Sequence, residues 1–131
     1  MTNSRNKGAR VEREFAALAF ELGGFRLLRA LEQCRSGGHD LDGLPGWAVE
    51  VKARADRPGP GELSKMWAQT VDQAKRANAY PVLAVKVDRR GWICYVDAAD
   101  IRPDWWESGR SWVALEPEDF FQMVRSLEGS A

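Results

Sequence analysis

Between positions 57 and 61 the chain reads Arg57-Pro58-Gly59-Pro60-Gly61, a rigid, turn-rich run that cannot continue a strand. One element must end before it and another begin after it. Upstream, Trp47 to Ala53 alternates in the manner of a strand with one functional face. Downstream, Leu63, Met66, Trp67, Thr70, Val71, Ala74 and Ala77 form an apolar stripe that predicts a helix over Glu62 to Asn78, with Gln69 and Gln73 paired at i, i+4 beside it. Tyr80-Pro81 breaks that pattern. Val82 to Val87 is apolar enough for a buried strand, and Asp88-Arg89-Arg90-Gly91 turns the chain into Trp92 to Val96, so these two read as a hairpin.

The N-terminal part completes the pattern. Val11, Phe15, Leu18, Ala19 and Leu22 fall on one helical stripe, predicting a helix from Ala9 to Leu22 that ends at Gly23-Gly24. Phe25 to Leu28 follows as a strand, the polar run from Glu32 to Gly38 as a loop, and His39 to Asp42 as a short strand. Glu116-Pro117-Glu118-Asp119 starts a last helix carrying Phe120, Phe121, Val124 and Leu127. The expected order is α-β-β-β-α-β-β-α, in one domain spanning residues 1–131.

Composition excludes several classes. No apolar run approaches the roughly eighteen residues of a membrane span, and the N-terminal stretch does not resemble a signal peptide, so a soluble cytoplasmic protein is expected. Cys34 and Cys94 stand far apart without metal-type spacing, which predicts free thiols. The formal net charge is zero, yet residues 1–90 carry 16 Lys/Arg against 11 Asp/Glu, while residues 91–131 carry 3 against 8. A basic body with an acidic C-terminal region fits this distribution, and so do ordinary solvated faces that cancel.

Chemistry concentrates around Asp40 and Glu50-Val51-Lys52. On a strand, Glu50 and Lys52 share a face roughly 6.6 Å apart while Val51 turns to the core. Leu44-Pro45-Gly46-Trp47 supplies a reversal that brings Asp40 against Glu50. Two crowded carboxylates repel unless something positive lies between them, and Mg²⁺ meets that need through one or two carboxylates while keeping waters and substrate phosphate. That points to phosphodiester chemistry.

Several segments then match a known pattern in order: Lys7-Gly8 followed by Glu12-Arg13-Glu14, Gly24-Phe25 with Leu27-Leu28-Arg29, Ser36-Gly37-Gly38, Asp40-Leu41, Glu50-Val51-Lys52, Pro81 to Lys86, and Gly91-Trp92. Over Lys7 to Val96 the set resembles the archaeal-type, Hjc-like Holliday-junction resolvases of the PD-(D/E)xK nuclease superfamily, including phage relatives. The resemblance implies an α/β restriction-endonuclease-like fold, a central mixed β-sheet flanked by helices with its core at about residues 7–96. Residues 97–131 have no counterpart in the pattern and are expected as a C-terminal extension with a terminal helix.

The resemblance also implies a Mg²⁺-dependent endonuclease, Mn²⁺ being a possible substitute, that resolves four-way DNA junctions as a homodimer, with no membrane partner and no small-molecule cofactor. Another nuclease of the superfamily acting on flaps, ends or nicked duplex is the nearest alternative, and a non-catalytic DNA-binding or interaction module is a second. Glu12, Asp40 and Glu50 are assigned to the metal, Lys52 to the reacting phosphate and Ser36 to the scissile phosphate or to loop capping. By helical period alone Glu12 and Glu14 are equivalent, and by strand alternation so are Asp40 and Asp42; only the family pattern prefers Glu12 and Asp40. Lys7, Arg10, Arg13, Arg29, Arg35 and Lys86 are candidates for DNA phosphates, or for pairing with neighbouring acids. Asp42, His39, Gln69 and Gln73 are candidates for an outer layer around the site, His39 equally serving as a plain turn residue. Trp67 and Trp92 are expected in the core, whereas Trp105-Trp106 fits core, dimer contact or DNA wedge.

Overall fold

Helix α1 (Ser4–Gly23) opens the structure, a computed structural model that describes residues 4–30 and 40–129. Its apolar stripe drives Val11, Phe15 and Ala19 into the interior, with Leu18 and Leu22 packed at the margin. The last turn closes on Gly24, whose positive φ of 76° suits a residue without Cβ, and the Gly24 and Phe25 amides donate back to the Phe20 and Ala19 carbonyls. Strands β1 (Leu28–Arg29), β2 (Leu41–Asp42) and β3 (Trp47–Arg54) follow. The chain then crosses through α2 (Pro60–Arg76) to β4 (Tyr80–Val87), and continues as β5 (Gly91–Asp97), the one-turn α3 (Ala98–Ile101), β6 (Trp112–Leu115) and α4 (Pro117–Gly129).

The described strands form a six-stranded sheet in the order β1-β2-β3-β4-β5-β6. All neighbours are antiparallel except β3 and β4, which run parallel from Trp47↔Tyr80 to Arg54↔Val87 because a helix joins them. The sheet is therefore mixed and flanked by helices, as expected. Alternation along β4 sorts the core into two layers. Val82 and Ala84 face α1 and α4 together with Phe15, Val49, Val51, Cys94, Val96, Phe120 and Phe121, whereas Leu83, Val85 and Val87 meet Met66, Trp67 and Tyr95 beneath α2. Phe15, Phe120 and Phe121 are fully buried, each worth about 1.5–3 kcal/mol relative to exposure.

Several boundaries differ from the sequence reading. Helix α2 begins at Pro60 rather than Glu62, since proline at the first helical position gives up only an amide that has no intrahelical partner; Gly59 caps it. Tyr80 and Pro81 belong to β4 instead of interrupting it. Pro81 precedes the first β4–β5 pair, Val82↔Val96, so its missing N–H costs that ladder nothing. The first two strands shrink to two residues each. Among the described residues, two elements are additional to the expected order, α3 and β6.

Helix α3 is capped by Asp97, whose carboxylate accepts the Ala99 amide at 2.9 Å and the Gly109 amide at 2.8 Å. The segment beyond Asp97 is built into the body: β6 extends the sheet and α4 lays Phe120, Phe121 and Val124 against the layer that contains α1. Trp67 is core and packs on Trp112 at 5.6 Å, and Trp92 is half-buried against Phe15 at 5.1 Å. Trp105 and Trp106 are 64% and 41% exposed, which removes the core option for that pair. Among the described residues no helix is long and apolar enough to cross a membrane.

Candidate active site

Strand β2 is too short to cover the whole of β3, and it registers with it only at Leu41↔Val49. Asp40 continues the pairing by other means. Its amide donates to the Val49 carbonyl at 2.8 Å, its carbonyl accepts the Ala30 amide at 2.9 Å, and its carboxylate oxygen Oδ2 accepts the Val51 amide at 2.9 Å. The side chain thus occupies the place of a missing ladder acceptor and is locked beside Glu50. A turn makes this possible: Gly43 has φ 113°, and a Cβ there would run into the Arg26 carbonyl oxygen, so only glycine lets the chain leave β2 past the preceding segment.

A cavity of about 480 Å³ opens at this notch, lined by Gly8, Val11, Glu12, Asp40, Glu50, Val51, Lys52, Ala53 and Arg54. Helix α1 brings Glu12, the approach to β2 brings Asp40, and alternation along β3 brings Glu50 and Lys52. Glu50 is only 3% exposed. One of its oxygens, Oε1, lies 3.3 Å from Lys52 Nζ, while Oε2 is buried without a hydrogen-bond partner among the described residues. Burial pushes the Glu50 carboxyl up to about 7, the Asp40 charge adds to the rise, Lys52 opposes it, and Glu12 contributes further upward. Glu12 is raised as well, chiefly by burial and against the hydrogen bond from Arg29 Nε at 2.5 Å.

Tertiary pairing separates the alternatives that periodicity left equal. Glu12 lines the cavity, whereas Glu14 is ion-paired with Lys86. Asp40 lines it too, and Asp42 instead sits exposed in register with Leu28. Of the expected phosphate contacts, Arg29 holds Glu12, Lys86 holds Glu14, Arg10 and Arg13 are exposed on α1, and Lys7 belongs to the first turns of that helix. Gln69 and Gln73 do not line the cavity: Gln69 is exposed, and Gln73 lies on the buried side of α2 with Oε1 unpartnered among the described residues. Ser36, Arg35 and His39 lie outside the described residues. Arg54 was missed, although period-two alternation from Glu50 through Lys52 leads directly to it.

The donor set suits a hard cation. Three carboxylates line the cavity, and the orphaned Glu50 oxygen has a lone pair that nothing among the described residues satisfies. Among the described residues, no group of three or more acid, histidine or cysteine side chains is placed to hold a metal ion, but Mg²⁺ needs only one or two protein carboxylates.

Comparison with known proteins adds to this geometry. The model of a family described as "Phage putative PDDEXK endonuclease" matches residues 3–116, so the match runs past Val96 into β6. No curated protein matches the chain. Among solved structures, Hjc from Archaeoglobus fulgidus, a Holliday junction resolvase, superposes with a TM-score of 0.52 at 21% identity, covering 94% of this chain and 96% of that one. That superposition places the chain in the same restriction-endonuclease-like fold.

Proposed function

Because the chain belongs to the phage PDDEXK endonuclease family, and is thereby a nuclease, we propose that it cuts branched DNA, resolving four-way junctions by Mg²⁺-dependent phosphodiester hydrolysis in the cytoplasm. The observation that carries this reading is the gathering of Glu12, Asp40, Glu50 and Lys52 on one cavity, with a buried Glu50 oxygen left unpartnered among the described residues. Asp40 and Glu50, assisted by Glu12, would hold the cation. When bound, it polarises the phosphate and lowers the pKa of water.

The protein's own groups prepare that chemistry. The Val51 amide fixes the Asp40 carboxylate, and Arg29 keeps Glu12 turned to the cavity. Lys52 Nζ, tethered to Glu50, offers its ammonium to the charge that grows on the phosphate oxygens during in-line attack. Ser36 is assigned to the scissile phosphate. Lys7, Arg10, Arg13 and Arg35 would supply backbone contacts whose affinity falls steeply with salt. A four-way junction has near two-fold symmetry and requires two matched cuts, which an isologous homodimer with one site per subunit provides. The fold shared with the archaeal resolvase supports the branched substrate.

A synthetic four-way junction, incubated with and without Mg²⁺ or Mn²⁺ beside flap, nicked and linear duplexes, tests the reading. Paired symmetric incision of the junction, dependent on the metal, is expected. Faster cutting of flaps or ends would assign the site to a repair or degradative nuclease, and no cutting of any DNA would leave a binding module. Lys52→Ala should lower kcat by roughly 100-fold while KM changes little; equal losses in catalysis and binding would make Lys52 a docking residue.

A further inference from the structure

The candidate site presents an electrostatic problem that its metal-directed groups leave open. Its wall carries the carboxylates of Glu12, Asp40 and Glu50, and a nucleic-acid strand entering it brings one negative charge per phosphate. Among the described residues that line the cavity, the basic ones are Lys52 and Arg54. Lys52 is tethered to Glu50. Arg54 is tied down separately.

Glu50, Lys52 and Arg54 alternate onto one face of β3 in steps of roughly 6.6 Å. The Arg54 guanidinium is held on several sides: Nε donates to the Glu62 carboxylate, Nη1 donates to the Ala53 carbonyl at 2.8 Å, and Nη2 approaches Met66 Sδ at 3.6 Å. A guanidinium has five N–H donors, and these contacts use three, which leaves one on each terminal nitrogen. Its side chain is 37% exposed and that of Glu62 is 46% exposed, so solvent screens the pair and it adds little to stability. What the arrangement does achieve is orientation. A planar fork with two spare donors, immobilised at the end of the strand that carries Lys52, matches phosphate oxygens and loses little freedom on binding them.

We propose that Arg54, positioned by Glu62, forms a phosphate-binding subsite next to Lys52 that takes a DNA backbone phosphate adjacent to the one cleaved. The subsite rests on the nuclease reading given above. Arg54 is the binding residue, and Glu62 is a positioning residue that acts through it.

The test is a scan of cleavable DNA in which single phosphates around the cut are replaced by neutral methylphosphonates, with KM and kcat measured for wild type, Arg54→Ala, Arg54→Lys and Glu62→Gln. Circular dichroism and thermal unfolding confirm that each variant is folded. Arg54→Ala should raise KM about tenfold with kcat within about twofold, and reduce the slope of log affinity against log salt by about one. One methylphosphonate beside the cut should cost wild type about the same tenfold and cost Arg54→Ala almost nothing. Arg54→Lys should recover the salt slope but only part of the affinity, and Glu62→Gln should fall between wild type and Arg54→Ala.

If every methylphosphonate penalty in Arg54→Ala equals that in wild type, the subsite is overturned and Arg54 is a surface ion-pair residue. Cleavage by wild type in that case leaves the nuclease reading standing. If wild type neither cuts nor binds DNA, both readings fall together.

Discussion

Asp40→Asn and Glu50→Gln should each reduce the proposed metal-dependent DNA cleavage by roughly 10³-fold or more, while DNA binding and the fold should persist. The substitutions are conservative in shape. An asparagine side chain in place of Asp40 keeps an oxygen to accept the Val51 amide, the bond that holds Asp40 in place at 2.9 Å. A glutamine in place of Glu50 keeps the length of the side chain and an oxygen within reach of Lys52, whose Nζ lies 3.3 Å from Glu50 Oε1. Each removes a negative charge from the wall where the proposed hard cation would be held. Parallel gel assays of cleavage and of junction binding check the separation. Full activity in either variant would remove that carboxylate from the site, and loss of binding in proportion to cleavage would make it a structural residue.

Glu50→Gln should also make the metal-free protein more stable at alkaline pH, by on the order of 3 kcal/mol. The carboxyl titrates near 7 in the folded protein, mainly through burial, against an ordinary value of 4.5. Between those values the folded state retains a proton that the unfolded chain has released. Stability contributed by this group therefore declines as pH rises from about 4.5 to about 7, and the full penalty persists above. Asp40 and Glu12 sharpen the penalty, and Lys52 relieves part of it.

Denaturant unfolding of both proteins at pH 5 and pH 8, in chelator and then in Mg²⁺, measures the effect. The gap between them should be large at pH 8, should narrow at pH 5, and should shrink again when Mg²⁺ offsets the wild-type charge. A Glu50→Gln variant less stable than wild type at pH 8 would show that the bond to Lys52 outweighs the cost of burying the charge. The expected sign is a trade of stability for function: the site keeps an ionisable group where a neutral one would fold better.

Much of this architecture is legible in the sequence because local pattern and tertiary role agree. The proline and glycine run at 57–61, the alternating Trp47 to Ala53 and the apolar stripe of α2 locate β3, the crossover and β4 without outside help. The acids at 40 and 50 are legible for the same reason, since one reversal and one alternating strand bring them together. What escapes is decided by partners distant in the chain. Glu12 and Glu14 are indistinguishable on a helical wheel, and only Arg29 and Lys86, from other elements, send them to different places. Strand β6 has four residues and no fully buried position, and α3 is a single turn set by the Asp97 cap, so neither leaves a periodic trace. Arg54 is a different case, because its position is readable by alternation and the role proposed for it depends on Glu62 and Met66, which only the fold brings around it.

Cys94 lies on β5 with no exposure, among Val96, Phe15 and Phe121 in the layer beneath α1 and α4. Burial, with a lesser push from the Glu116 charge, raises its thiol far above the usual range and keeps it from forming the reactive thiolate. The residue is consequently a sentinel placed at the centre of the sheet. An alkylating reagent reaches it only through openings that part the helices from the strands, so its labelling rate clocks how often the whole body comes apart, independently of any motion at the notch around Asp40 and Glu50.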